Sequence, residues 1–115
     1  MGVRRKMSDQ EQFAALKAIY PDAVLVREGG VAAAYLPAAS FRAGGVMTTM
    51  QLLLFPAFHT GYVTRLFFER KISGKGANWT QHSVVSRTWW APSFKDVAPT
   101  LPWPAMLFAH LRAVE

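Results

Sequence analysis

The sequence predicts an α+β domain: an N-terminal helix, a four-stranded antiparallel meander, an irregular aromatic segment and a C-terminal helix. Three observations carry that prediction. A capping signal and helically spaced apolar residues open the chain, alternating apolar runs divided by glycines fill its middle, and a proline-headed apolar stretch closes it. Helices at the two ends of a run of strands are expected to pack on one face of an antiparallel sheet.

Ser8 to Glu11 spells S-x-x-E, in which the serine hydroxyl and the glutamate carboxylate each satisfy a free backbone N–H at a helix start. Phe13, Leu16, Ile19 and Tyr20 follow at helical spacing and form the expected apolar face, with Lys17 turned to solvent. Pro21 ends this helix, because the residue before a proline avoids helical geometry. Val24 and Val26, then Val31, Ala33 and Tyr35, alternate on either side of Gly29-Gly30, which signals a hairpin. The stretch 37–45 (PAASFRAGG) reads as a loop, 46–55 as a third strand, 56–61 as a turn and 62–72 as a fourth strand rich in aromatic and β-branched residues. A flexible tip is expected over 73–77 (SGKGA), then short extended pieces with turns from Asn78 to Trp90 and a loop over 92–99. Thr100 reads as the N-cap of the last helix, with Pro102 in its first turn and Trp103, Leu107, His110, Leu111 and Val114 on one face. Residues 1–7 read as a flexible basic tail and 8–115 as one domain, with no internal repeat or low-complexity segment.

Composition narrows the class. A chain of 115 residues fits one domain and can bury a core without disulfides or metal. Hydrophobic residues make up 51% and charged ones only 17%, which argues against disorder and for a thin polar surface that a partner could cover. The net charge of +6 is concentrated in Arg4, Arg5 and Lys6 of the tail and in Arg70, Lys71 and Lys75. That balance suits nucleic acid or an acidic protein partner; the plainer account is a solvated face plus a tail. The absence of cysteine excludes disulfides, thiolate metal sites and a thiol nucleophile, and fits a reducing compartment. Polar Ser8-Asp9-Gln10-Glu11 follows the basic tail where a secretory leader would be apolar, and no run reaches the ~18 apolar residues of a membrane span. A cytoplasmic protein with no membrane partner is expected.

Candidate chemistry gathers between Phe55 and Trp90, where polar groups are wedged among large apolar ones. Such groups are costly to bury unless paired, so they mark a hydrogen-bonded network or a site. His59, His82 and His110 share no short ligand spacing, while a histidine zinc site needs about three converging ligands, so no metal and no cofactor is expected. Ser83 or Ser86 could join a histidine and Asp96 in a triad, although no glycine-flanked nucleophile elbow is present. Gly74-x-Gly76 lacks the rest of any nucleotide fingerprint. Trp79, Trp89, Trp90 and Trp103 could stack the bases of a single strand, or fill core and rim with each indole N–H needing a partner. Alternation along 63–68 puts Val63, Arg65 and Phe67 on one face and Thr64, Leu66 and Phe68 on the other. Arg65 is then either solvent-facing beside aromatics or buried and paired, and Arg87 has a similar choice.

Taken in order, the segments resemble a ubiquitin-conjugating (UBC-like) domain. Leu52-Leu53-Leu54-Phe55-Pro56, followed by Leu66-Phe67-Phe68-Glu69-Arg70-Lys71-Ile72, is similar to the family's third and fourth strands. Trp90-Ala91-Pro92-Ser93 is similar to its Trp-x-Pro element, and Asn78 sits roughly where the family has the asparagine that stabilises the oxyanion. G-Y-x-T-R-L-F-F together with S-R-T-W-W-A-P-S is closer to divergent members of bacterial ubiquitin-like conjugation operons than to the eukaryotic enzymes. The resemblance spans about residues 8 to 115 through short motifs. It implies a ubiquitin-like protein and its activating enzyme as partners.

The chain departs from that family where its chemistry is done. The nucleophilic cysteine is absent, Gly76-Ala77 stands where a histidine-proline normally precedes the asparagine, and the spacing from Asn78 to Trp90 is short. Two readings follow. In one, Ser86 or Ser83 carries the ubiquitin-like C-terminus as an oxyester, with His82 or His59 as general base and Asn78 steadying the oxyanion. In the other, the domain is an inert adaptor, and Arg65, Arg87, Trp89 and Trp90 serve binding. A small basic nucleic-acid-binding domain is the alternative.

Overall fold

The computed structural model describes residues 7–115, so the expected basic tail, apart from Met7, lies outside the described residues. The capping box forms: Ser8 Oγ accepts from the Glu11 N–H, the Glu11 carboxylate accepts from the Ser8 N–H, and α1 runs Asp9–Lys17. Leu16 is fully buried with Phe13 and Tyr20 beside it, but Ile19 is 49% exposed because the helix has already ended.

β1 (Val24–Glu28), β2 (Val31–Ala43), β3 (Val46–Phe55), β4 (Arg65–Phe68), β5 (Thr80–Val84) and β6 (Arg87–Ala91) form one six-stranded antiparallel sheet in the order β1-β2-β3-β4-β6-β5. This corrects the expected four-stranded meander, for two local reasons. The stretch read as a loop over 37–45 belongs largely to β2. Pro37 has no N–H to give, and the ladder passes it by shifting register between Leu36 and Ala39 before pairing resumes from Ala39–Met50 to Ala43–Val46. Gly44 and Gly45 then turn the chain at φ 57° and 81°, the same device as Gly29 and Gly30 at 56° and 80°.

The second reason lies at 78–90. The segment expected to be irregular is a hairpin, paired in unbroken register from Thr80–Ala91 to Val84–Arg87 around the positive-φ turn Val85-Ser86. β4 is correspondingly shorter than expected. Residues 60 and 61 form a tight turn closed by reciprocal backbone bonds between His59 and Tyr62, and strand pairing begins only at Arg65.

α2 (Trp103–Leu111) continues into a 3-10 turn at Arg112–Val114, and its N-cap is Pro102 rather than Thr100. Pro102 has no side chain that can cap, and the first free N–H, that of Trp103, donates to Gln12 Oε1 of α1 at 3.0 Å. Both helices cover one sheet face, where Leu16, Trp103, Met106 and Leu107 meet Ala34, Leu36, Leu52, Leu54, Leu66 and Phe68. No described helix lies on the opposite face, yet Leu53, Phe55, Phe67, Val84 and Trp89 are buried there. The sheet curls to cover them itself: the β5–β6 hairpin swings over until the Val85 N–H donates to Glu28 Oε1 of β1 at 2.8 Å. Trp89 stands edge-on to Tyr35 of β2, with ring centroids 6.2 Å apart. None of the described helices is long and apolar enough to cross a membrane.

Candidate binding site

The concave face gathers Arg65, His59 and His82. Alternation in β4 sends Arg65 and Phe67 to this face and Thr64, Leu66 and Phe68 to the helical one, as the sequence predicts. The turn at Thr60-Gly61 lifts His59 over the same face, and β5 brings His82 in from the other side, opposite Trp89 in the ladder. The two imidazole centroids are 5.4 Å apart, and each ring meets Phe67 edge-on, His59 at 5.2 Å and His82 at 5.6 Å.

Arg65 is only 3% exposed. Its guanidinium donates to Thr60 Oγ1 at 2.6 Å and to the Pro92 carbonyl at 3.2 Å, and lies 4.2 Å from the Tyr62 ring centroid. No carboxylate forms an ion pair with it among the described residues. Burial lowers its proton affinity, partly offset by Tyr62, but a guanidinium stays cationic near neutral pH. Taking an unneutralised cation out of water costs several kcal/mol; two hydrogen bonds and cation–π contacts with Tyr62 and Phe67 offset that cost without neutralising the charge.

This charge governs its neighbours. His59 is held below the ordinary imidazole value by burial and then by Arg65, with Glu28 acting in the opposite sense. His82 is lowered by burial, then by Arg65, then by His59. Hydroxyls hold both rings: Thr60 Oγ1, already accepting from Arg65, lies 3.0 Å from His59 Nδ1, and Thr80 Oγ1 lies 2.7 Å from His82 Nε2.

His110 is elsewhere. It lies buried on the helical face, where Thr64 Oγ1 donates to the Val97 carbonyl at 2.7 Å and sits 2.9 Å from His110 Nε2. Thr64 has one proton, and the carbonyl can only accept, so His110 Nε2 must carry its own proton and donate to Thr64. Burial first, and then Arg65, lowers its pKa to about 4. The three histidines therefore do not converge, and the described residues hold no cluster of three or more side chains suited to a metal ion.

The serines are not brought to the imidazoles. Ser83 follows His82 in an extended strand and projects to the opposite face, in register with Thr88. Ser86 is exposed at the hairpin tip. Neither serine hydrogen-bonds to a histidine among the described residues. Asn78, at φ 51°, is exposed in the loop before β5. Arg87 stacks over Tyr35 at 5.0 Å and donates to the Tyr35 hydroxyl and to Gln51 Oε1. Trp89 is buried and donates to the Val84 carbonyl, while Trp90, on the other face, is half-buried beneath Lys71 at 4.6 Å.

Sequence reasoning passed over Thr60, Thr80 and Glu28. Thr60-Gly61 carried a turn signal, and alternation along 80–82 puts Thr80 beside His82. Glu28 had no local signal, because it acts on residues brought near it only by the curl. Comparison with protein-family models, with curated proteins and with solved structures found no match to this chain.

Proposed function

We propose that the protein acts by non-covalent binding, as an inert component of a bacterial ubiquitin-like conjugation pathway that holds a ubiquitin-like protein or its activating enzyme. The pathway rests on the residue pattern G-Y-x-T-R-L-F-F with S-R-T-W-W-A-P-S. The inert role, rather than the oxyester, rests on one observation: the candidate nucleophiles and the candidate bases are apart. A serine is a weak nucleophile without an adjacent base, and Ser83 projects from the face opposite His82 while Ser86 has no imidazole partner among the described residues. The exposed apolar rim beside the site, Phe58 at 69% and Val63 at 44%, suits a protein contact. Nucleic-acid binding has less behind it, because two of the four indoles that would stack bases, Trp89 and Trp103, are buried.

The test combines the protein with its cognate activating enzyme, ATP and ubiquitin-like protein. Binding without any adduct is the expected result. A hydroxide-labile, reductant-resistant adduct that disappears in Ser86→Ala or Ser83→Ala would overturn the inert role.

A further inference from the structure

We propose that Arg65, His59 and His82 form a receptor for a compact oxyanion, a carboxylate or a phosphate, on the concave face of the sheet. The inference does not depend on the pathway proposed above; it stands on the geometry of an uncompensated charge. An arginine only 3% exposed would ordinarily be matched by a carboxylate, and here none pairs with it among the described residues. Two of its N–H groups are used, by Thr60 and Pro92, of the five a guanidinium carries. The acid that acts on His59 is Glu28, which is tied to the Val85 N–H in holding the hairpin closed. A negative charge from outside would complete the pairing.

The surface beside Arg65 offers donors to such a ligand. His59 and His82 are half-buried, and each leaves one ring nitrogen free of the hydroxyl that holds the other. Thr60 and Thr80 are exposed beside them. An oxyanion at the exposed rim of the two touching rings meets imidazole and hydroxyl donors there and lies within the field of Arg65, whose guanidinium is 5.8 Å from the centroid of the Phe67 ring that both imidazoles contact. Phe55 and Phe67 line the floor, and their apolar surface strengthens the electrostatic attraction by excluding water.

Binding takes up protons. The charged groups acting on the two imidazoles are Arg65 of β4 and Glu28 of β1, together with each other's ring. In the free protein burial and Arg65 hold both below the ordinary imidazole value; a bound anion opposes the Arg65 repulsion and raises both. Affinity therefore rises as pH falls from neutrality through the bound-state pKa values, by up to about tenfold per pH unit for each proton taken up.

The test follows the imidazole Cε1–H signals by NMR across a pH series, with inorganic phosphate in one arm and glycylglycine, for its carboxylate, in the other. The expected result is an upward shift of the His59 and His82 titrations by one or both ligands, larger than any shift of His110, which burial chiefly holds low. The arm that responds identifies the anion. Arg65→Met should abolish the shift, with the low titration of His110 reporting that the fold is kept; should that variant fail to fold, Arg65→Gln, which keeps a donor for Thr60 and removes the charge, should abolish it instead. No shift of His59 and His82 with either ligand in the wild-type protein overturns the proposal. An undiminished shift in a folded Arg65 variant overturns it as well.

Discussion

Val85 and Ser86 sit at φ 43° and 61°, left-handed backbone that disfavours L residues by roughly 1–2 kcal/mol each. A two-residue turn of this kind favours Asn-Gly, and a β-branched residue in it is an outlier. The turn persists because Glu28 accepts from the Val85 N–H across the curled face. Ser86 is exposed and loses no packing when replaced, so Ser86→Gly should raise stability by about 1 kcal/mol in urea unfolding. Glu28→Ala should lower it by about 1–2 kcal/mol, because it leaves the Val85 N–H without its acceptor. A Ser86→Gly protein no more stable than wild type would show that the turn is unstrained. Ser86 is a nucleophile candidate in the sequence because it falls between Asn78 and Trp90, beside Arg87; left-handed backbone at a residue other than glycine is not legible in a string.

At the scale of elements, α2 is the clearest case of a helix placed by partners distant in sequence. Its apolar face was legible: Trp103, Leu107, His110, Leu111 and Val114 are all buried. Its start was misread, because the cap comes from Gln12 of α1 rather than from a residue beside it. Its docking is fixed by His110, which donates to Thr64 in a network closed by Val97. The folded pKa of about 4 lies below the ordinary 6.5, so the fold favours neutral imidazole. That contribution is fully present above 6.5 and is lost as pH falls from 6.5 toward 4, on the order of 3 kcal/mol in all. His110→Gln keeps a donor for Thr64 and does not titrate, so its urea-unfolding stability should fall much less than that of wild type over the same window. Parallel curves for the two proteins would show that His110 does not govern acid sensitivity.

At the scale of the whole molecule, the curl of the sheet makes the concave face. Trp89 holds it, buried against Tyr35 and donating to the Val84 carbonyl at 3.0 Å. Trp89→Ala should lower stability by about 3–5 kcal/mol, a large share of the ~5–15 kcal/mol of an ordinary domain. Amide exchange should then rise first in β5 and β6, read by hydrogen–deuterium exchange; uniform loss of protection across the sheet would show that the curl is not a separable unit. Much of this molecule was legible from local pattern. The Ser8 capping box, the Gly29-Gly30 hairpin, the faces of β4 and the buried face of α2 each follow from chemistry within a few residues. The continuation of β2 past Pro37 was not, because a proline and a run of small residues read as loop until a partner strand pairs with them. The 78–91 hairpin was not, because Val-Ser is an unfavourable turn pair that only Glu28 and the packing of Trp89 enforce. The sequence alone determined which residues face which way along each element, since periodicity of side chains is a property of the local backbone. The tertiary structure alone decided that His59 and His82 meet at Phe67 while Ser83 and Ser86 do not join them. Those pairings depend on how a six-stranded sheet curls, and the curl is set by contacts between residues far apart in the chain, such as Glu28 with Val85 and Tyr35 with Trp89.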